Sequence, residues 1–133
     1  DEVERMRQFG ELVGIAFQIK DDLFDYGSGA DIGKPTGLDI KEKKLTLPLI
    51  HALQQVTADE RRWMVNVVKN RNEDSAAVAQ VVRKVAEAGG IAHATRAMLD
   101  HRDRALAVLH TFPDNEARRA LEGLVQLTVE RKK

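Results

Sequence analysis

Apolar residues recur at helical spacing along most of the chain, and no alternating strand pattern of any length competes with them. A first helix is predicted from Glu4 to Tyr26, closed by Tyr26-Gly27. Between Leu12 and Ile19 its only strongly polar side chain is Gln18, with Glu11 marking the wet end. A helix apolar on nearly every face is the kind buried inside a larger protein. A second helix starts near Asp39 or Leu45 and runs to about Gln55. Thr57-Ala58-Asp59-Glu60 has the form of a capping box and opens a helix through about Lys69. Asn72-Glu73-Asp74-Ser75 begins another, whose Ala77, Val78, Val81, Val82 and Val85 share one face until Gly89-Gly90 stops it. From Ile91 to His110 a long amphipathic helix turns Ala94, Ala97, Met98, Ala105, Leu106 and Leu109 inward. Thr111-Phe112-Pro113-Asp114 breaks it, and a final helix reaches about Arg131 with a basic end that suits the helix dipole. The fold class expected is all-α, and the Val and Ala stripes of the later helices are core.

Composition narrows the setting. A chain of 133 residues with 43% hydrophobic content suffices for one core, so one domain or part of one. Lysine and arginine balance aspartate and glutamate to a net charge of +0, and without a long basic run nucleic acid is not the expected partner. There is no Cys, no signal-like segment and no transmembrane segment, which would need about 18 or more apolar residues. A cytoplasmic location is expected. The chain opens at Asp1 within a helical pattern and without Met, which reads as a fragment or a processed product.

The chemistry concentrates at the end of the first helix. Gln18, Asp21, Asp22 and Asp25 (i, i+3, i+4, i+7) fall on one stripe at ~3.6 residues per turn. Neighbours on such a stripe lie about 5–6 Å apart. At an effective dielectric of ~20, like charges at that spacing repel by roughly 3 kcal/mol per pair at most, more than helix propensity offsets. Burial adds a desolvation cost of the same sign. A divalent cation between the carboxylates removes the conflict, so Asp21, Asp22 and Asp25 read as metal ligands. An all-oxygen set suits Mg²⁺ or Mn²⁺, and Mg²⁺ held by only one or two carboxylates calls for substrate phosphates to complete its shell.

The next segment supplies the matching charge. Residues 27–37 hold four of the nine glycines and carry Lys34, and the chain then runs through Asp39-Ile40-Lys41-Glu42-Lys43-Lys44. Lysines are compact point charges suited to phosphate oxygens. Plainer readings apply elsewhere. An isolated Asp-Asp-x-x-Asp is most often a solvated acidic face, but the apolar turns before it and the lysines after it argue otherwise here. A calcium loop starting at Asp25 would put Thr36 where the bidentate Glu belongs. Lys41 and Lys43 read as solvated charge, Lys20 as an ion-pair partner, Asp100 and Asp103 as a solvent-facing surface, and the four histidines as structural.

The ordered set Gly14-x-x-Phe17-Gln18-x-x-Asp21-Asp22-x-x-Asp25, Gly33-Lys34, Gly37-x-Asp39 and Lys44-x-Thr46-Leu47-Pro48-Leu49 resembles the trans-type polyprenyl diphosphate synthases, and more narrowly their long-chain, octaprenyl-like branch. The likeness is dense over about residues 9–53 and compatible beyond, where Ala120-Leu121-x-Gly123-Leu124 and Val129-Glu130-Arg131 fit the family's last helix. It implies the C-terminal helices of an isoprenoid-synthase bundle, carrying the second of the family's two aspartate-rich motifs, with the part bearing the first motif absent. By position, Asp21, Asp22 and Asp25 would serve a Mg²⁺ cluster. Gln18, Lys34 and Lys44 would contact the allylic substrate, the two lysines stabilising the departing diphosphate. The complete protein would join an allylic prenyl diphosphate to isopentenyl diphosphate as a homodimer. The alternative is a non-catalytic helical subunit that binds prenyl diphosphate or completes a heteromeric synthase.

Overall fold

The computed structural model describes residues 1–26 and 37–130, and its regular structure is helical throughout. Among the described residues seven helices follow one another: α1 Glu2–Phe24, α2 Leu38–Lys41, α3 Leu47–Gln55, α4 Ala58–Asn70, α5 Ser75–Glu87, α6 Gly90–Leu109 and α7 Glu116–Glu130. They form two compact units, one of Asp1–Lys20 with Thr95–Lys133, the other Asp21–Ala94.

In the unit of residues 21–94, α3, α4 and α5 pack against one another. Their apolar stripes meet in a core of Leu49, Ala52, Met64, Val67, Val78, Val81 and Val85, to which Tyr26 and Ile40 contribute from the ends of α1 and α2. Each Leu, Ile, Val or Met side chain among these, fully withdrawn from water, stabilises the fold by about 1.5–3 kcal/mol. The capping box forms as its residues dictate: Glu60 N–H donates to Thr57 Oγ1 at 3.1 Å, and the hydroxyl donates to the Glu60 carboxylate at 3.1 Å. Asp74 caps α5, accepting from Ala77 N–H at 3.2 Å.

Two boundaries differ from the sequence pattern. The single helix expected from Asp39 or Leu45 is two helices, α2 and α3. Lys43 between them takes a left-handed backbone (φ 61°), which ends α2, and Pro48 in the first turn of α3 sets a new start. The glycine pair does stop α5, with Gly89 at φ 83°, but Gly90 already belongs to α6. There the helix passes so close to α3 that a Cβ would lie 2.3 Å from the Pro48 carbonyl oxygen. Only glycine fits that approach.

In the other unit, Phe9 of α1, Ala105 and Leu109 of α6 and Val125 of α7 form the core, with Leu12, Leu106 and Leu121 against it. Arg5 closes this unit at the α6–α7 turn: its guanidinium lies 4.5 Å from the Phe112 ring centroid and donates to Thr111 Oγ1 at 2.9 Å. Ile15 and Phe17 of α1 stay 39% and 37% exposed, and Leu124 and Leu127 of α7 stay 57% and 67% exposed. No helix among the described residues is long and apolar enough to cross a membrane.

Candidate functional site

The aspartate motif sits at a helix terminus where negative charge is least welcome. Asp21 and Asp22, both half-buried, occupy the last turn of α1, which holds no basic residue. The helix dipole presents its negative end there, a cost of about 0.3–1 kcal/mol for each carboxylate. A cation is the natural complement of that arrangement.

Asp25, one turn on, is placed differently. Its side chain is 9% exposed, and its two oxygens accept backbone N–H groups from Leu38 at 2.8 Å (Oδ1) and Asp39 at 3.1 Å (Oδ2). Its own carbonyl accepts from Gly37 N–H at 3.0 Å. One residue thus clamps the 37–39 segment to the end of α1. Gly37 itself sits at φ 79°, with Val78 Cγ1 2.6 Å from where a Cβ would stand, so the clamp needs glycine. Burial pushes the Asp25 carboxyl up, against the amides of Asp39 and Leu38, which favour its ionised form.

The clamp carries on to the lysine. Lys44 N–H donates to the Asp39 carbonyl at 2.7 Å, and Asn72 Nδ2 donates to the Lys41 carbonyl at 2.6 Å, fixing the turn from α2 to α3. The Lys44 ammonium pairs with Glu42 at 3.2 Å. That partner raises its pKa most, with the charges of Asp39 and Asp22 acting in the same direction. Burial raises the Asp39 carboxyl, while Lys44 draws it down. Tyr26, directly after the motif, is 4% exposed and is pushed up to about 12 by burial, with the charges of Asp25, Asp39 and Asp22 adding to the shift. The Thr46 hydroxyl opposes it, although neither buried hydroxyl makes a well-aligned hydrogen bond among the described residues.

Asp21, Asp22, Asp25 and Lys44 therefore fall in one unit, the aspartates at and just after the end of α1 and Lys44 in the turn before α3. Gln18 is exposed on α1 within the other unit. Lys34 lies outside the described residues. Asp39, quoted in the sequence pattern but given no role there, emerges as the residue whose main chain holds Lys44 and whose charge faces it. Its spacing of two from Gly37 was the available signal. Among the described residues no three His, Cys, Asp or Glu side chains converge to hold a metal unaided. The donors are all oxygen, which fits a hard cation sharing its shell with phosphate. The histidines are engaged otherwise: His51 stacks on His93 (centroids 3.9 Å apart), His101 Nδ1 meets the Ala97 carbonyl at 2.7 Å, and His110 pairs with Glu122 at 2.9 Å.

Known proteins similar to this chain form a coherent group. The Polyprenyl synthetase family profile matches residues 1–85. Octaprenyl diphosphate synthase of Escherichia coli (strain K12) is 31% identical over 132 residues, covering 98% of this chain and 41% of that protein. The crystal structure of a decaprenyl diphosphate synthase from Rhodobacter capsulatus superposes with a TM-score of 0.90 at 33% identity, over 100% of this chain and 41% of that one. The polyprenyl synthase of Caulobacter crescentus, solved with calcium and isoprenyl diphosphate, gives a TM-score of 0.83 at 32% identity, over 98% of this chain and 40% of that one. The chain spans about two fifths of the length of these relatives. It has their isoprenoid-synthase helical fold over that span, and it belongs to the polyprenyl synthetase family.

Proposed function

We propose that the chain supplies the diphosphate-holding C-terminal part of a prenyltransferase, which condenses an allylic prenyl diphosphate with isopentenyl diphosphate into a longer polyprenyl diphosphate. The observation that carries this reading is the clamp: Asp25 fixes residues 37–39, and through the Asp39 carbonyl fixes Lys44, beside the acidic end of α1. In the reaction the allylic C–O bond breaks and diphosphate departs with the electron pair. The double bond of isopentenyl diphosphate attacks the cation, and loss of a proton restores a neutral chain. Negative charge grows on the departing oxygens, so preorganised positive charge there accelerates the step.

Asp21 and Asp22 are the residues proposed to hold Mg²⁺, whose chemistry is to neutralise the diphosphate as it leaves. Asp25 serves the same cluster with whatever lone pairs its two amide contacts leave, and chiefly through the segment it positions. Lys44 and Lys34 stabilise the diphosphate oxygens, and Gln18 contacts the allylic substrate. The calcium and isoprenyl diphosphate of the Caulobacter crescentus structure support this assignment by likeness. A homodimer is the assembly proposed for the complete enzyme.

Calorimetry with inorganic diphosphate tests the first step: the chain binds it when Mg²⁺ is present and not when Mg²⁺ is removed. Binding indifferent to Mg²⁺, or absent altogether, overturns the proposal. In the complete enzyme, Lys44→Ala weakens the allylic substrate more than isopentenyl diphosphate, as separate titrations of the two would read. Equal losses would remove Lys44 from the allylic side.

A further inference from the structure

A concavity lies in the unit of residues 21–94, and the proposed chemistry leaves it without a role. It has a volume of about 290 Å³ and is lined by Lys43, Leu45, Leu53, Val65, Val68 and Lys69. That volume is at the lower end of small-molecule sites, about 300–1,000 Å³, and an apolar lining with a few charged groups is their usual chemistry. Leu45 is 61% exposed, so one wall of the groove is an apolar side chain left in water.

The lysines are the second observation. Neither Lys43 nor Lys69 makes an ion pair among the described residues, whereas the adjacent Lys44 is paired with Glu42. Lys43 also holds the left-handed backbone (φ 61°) that closes α2, a conformation glycine adopts without steric cost. The turn does not call for a lysine there. A non-glycine residue kept in that region points to a use for its side chain.

We propose that this groove binds a single anionic amphiphile, a hydrocarbon chain with a phosphate or diphosphate head. The chain lies against Leu45, Leu53, Val65 and Val68, and the head is held by the ammonium groups of Lys43 and Lys69. Apolar walls alone would accept any hydrocarbon, and lysines alone any anion; together they select a molecule with both. A membrane surface is the poorer match. Adsorption to anionic lipid needs a broad basic face, and this chain has a net charge of +0 and two lysines at a recess. The proposal does not depend on the prenyl-transfer reading.

Decyl phosphate, kept below its micelle concentration, is the probe. Trp63, the only tryptophan, lies on α4 two residues before Val65 and reports occupancy by fluorescence, with calorimetry as the independent measure. Saturable binding is expected, with decanol and inorganic phosphate each at least about tenfold weaker, the size of one lost charge-assisted contact. Lys43→Gly weakens binding by a similar factor while raising the thermal midpoint, because it relieves the left-handed strain. A loss of affinity in that variant is therefore not a loss of fold. Lys69→Gln weakens binding in the same way. Unchanged affinity in both variants, equal binding of decanol, or binding to phosphatidylglycerol vesicles without binding to the monomeric probe would each overturn the proposal.

Discussion

Asp21 and Asp25 belong to one motif, and the structure gives them different work. Asp21 lies at the negative end of α1 with its carboxylate half-buried, while Asp25 spends both oxygens on the amides of Leu38 and Asp39. In the complete synthase, Asp21→Ala is expected to lower kcat by about a thousandfold or more, since metal-assisted charge stabilisation supplies several kcal/mol. Asp25→Ala should lower it less and instead destabilise the fold by about 1–3 kcal/mol, the cost of leaving buried amides unpaired. Steady-state kinetics and urea unfolding of the two variants decide this, and an Asp21→Ala enzyme within tenfold of its parent removes the metal role. Tyr26 offers a cleaner probe, because it is the only tyrosine. Its ultraviolet ionisation curve should centre near pH 12 in the folded chain and return to about 10.0 in urea. The native state then holds a proton that the unfolded chain has released, so stability falls as pH rises from 10.0 through about 12. A native midpoint at the unfolded value would mean that the hydroxyl is not buried.

At the scale of elements, apolar periodicity was enough to locate α1 and α4 to α7. Ala77, Val78, Val81 and Val85 are buried on α5, and Ala94, Met98, Ala105 and Leu109 on α6, as their spacing requires. The capping residues Thr57 and Asp74 were equally plain, since each cap is a local bond between residues three apart. What the pattern could not carry was distance along the chain. The Asp25 clamp joins residues 13 and 14 positions apart, and no local propensity encodes it. The split between α2 and α3 was hidden for a related reason: Lys43 stands where a glycine would have announced the left-handed turn. Gly90 read as a helix stop, yet its real constraint is the Pro48 carbonyl of another helix. Gly90→Ala should therefore destabilise by about 1–3 kcal/mol, although alanine is the better helix former. Thermal unfolding of this variant gives the sign, and a stabilised Gly90→Ala would show that α3 and α6 do not approach so closely.

For the whole molecule, the informative quantity is the apolar surface that the chain leaves uncovered. The even hydrophobicity of α1 predicted burial on all sides, and the structure buries Phe9, Ala16 and Ile19 while leaving Ile15 and Phe17 more than a third exposed. Leu124 and Leu127, three apart on α7 and so on one face, are more exposed still. Scattered exposed leucines are ordinary, but neighbouring ones on a single face form a patch of the kind that drives association or marks a covered surface. The chain spans about two fifths of its relatives. Whatever completes a synthase, the 133 residues by themselves should bind a hydrophobic dye and self-associate at high concentration. Replacing Leu124 and Leu127 with Lys removes two of the exposed groups at no cost to the core, since neither contributes to the Phe9–Val125 cluster. Dye fluorescence and the weight-average mass from sedimentation should both fall in the double variant, with helicity by circular dichroism unchanged. A parent chain that stays monomeric and dye-silent would mean that the α7 face is too dispersed to act as a patch.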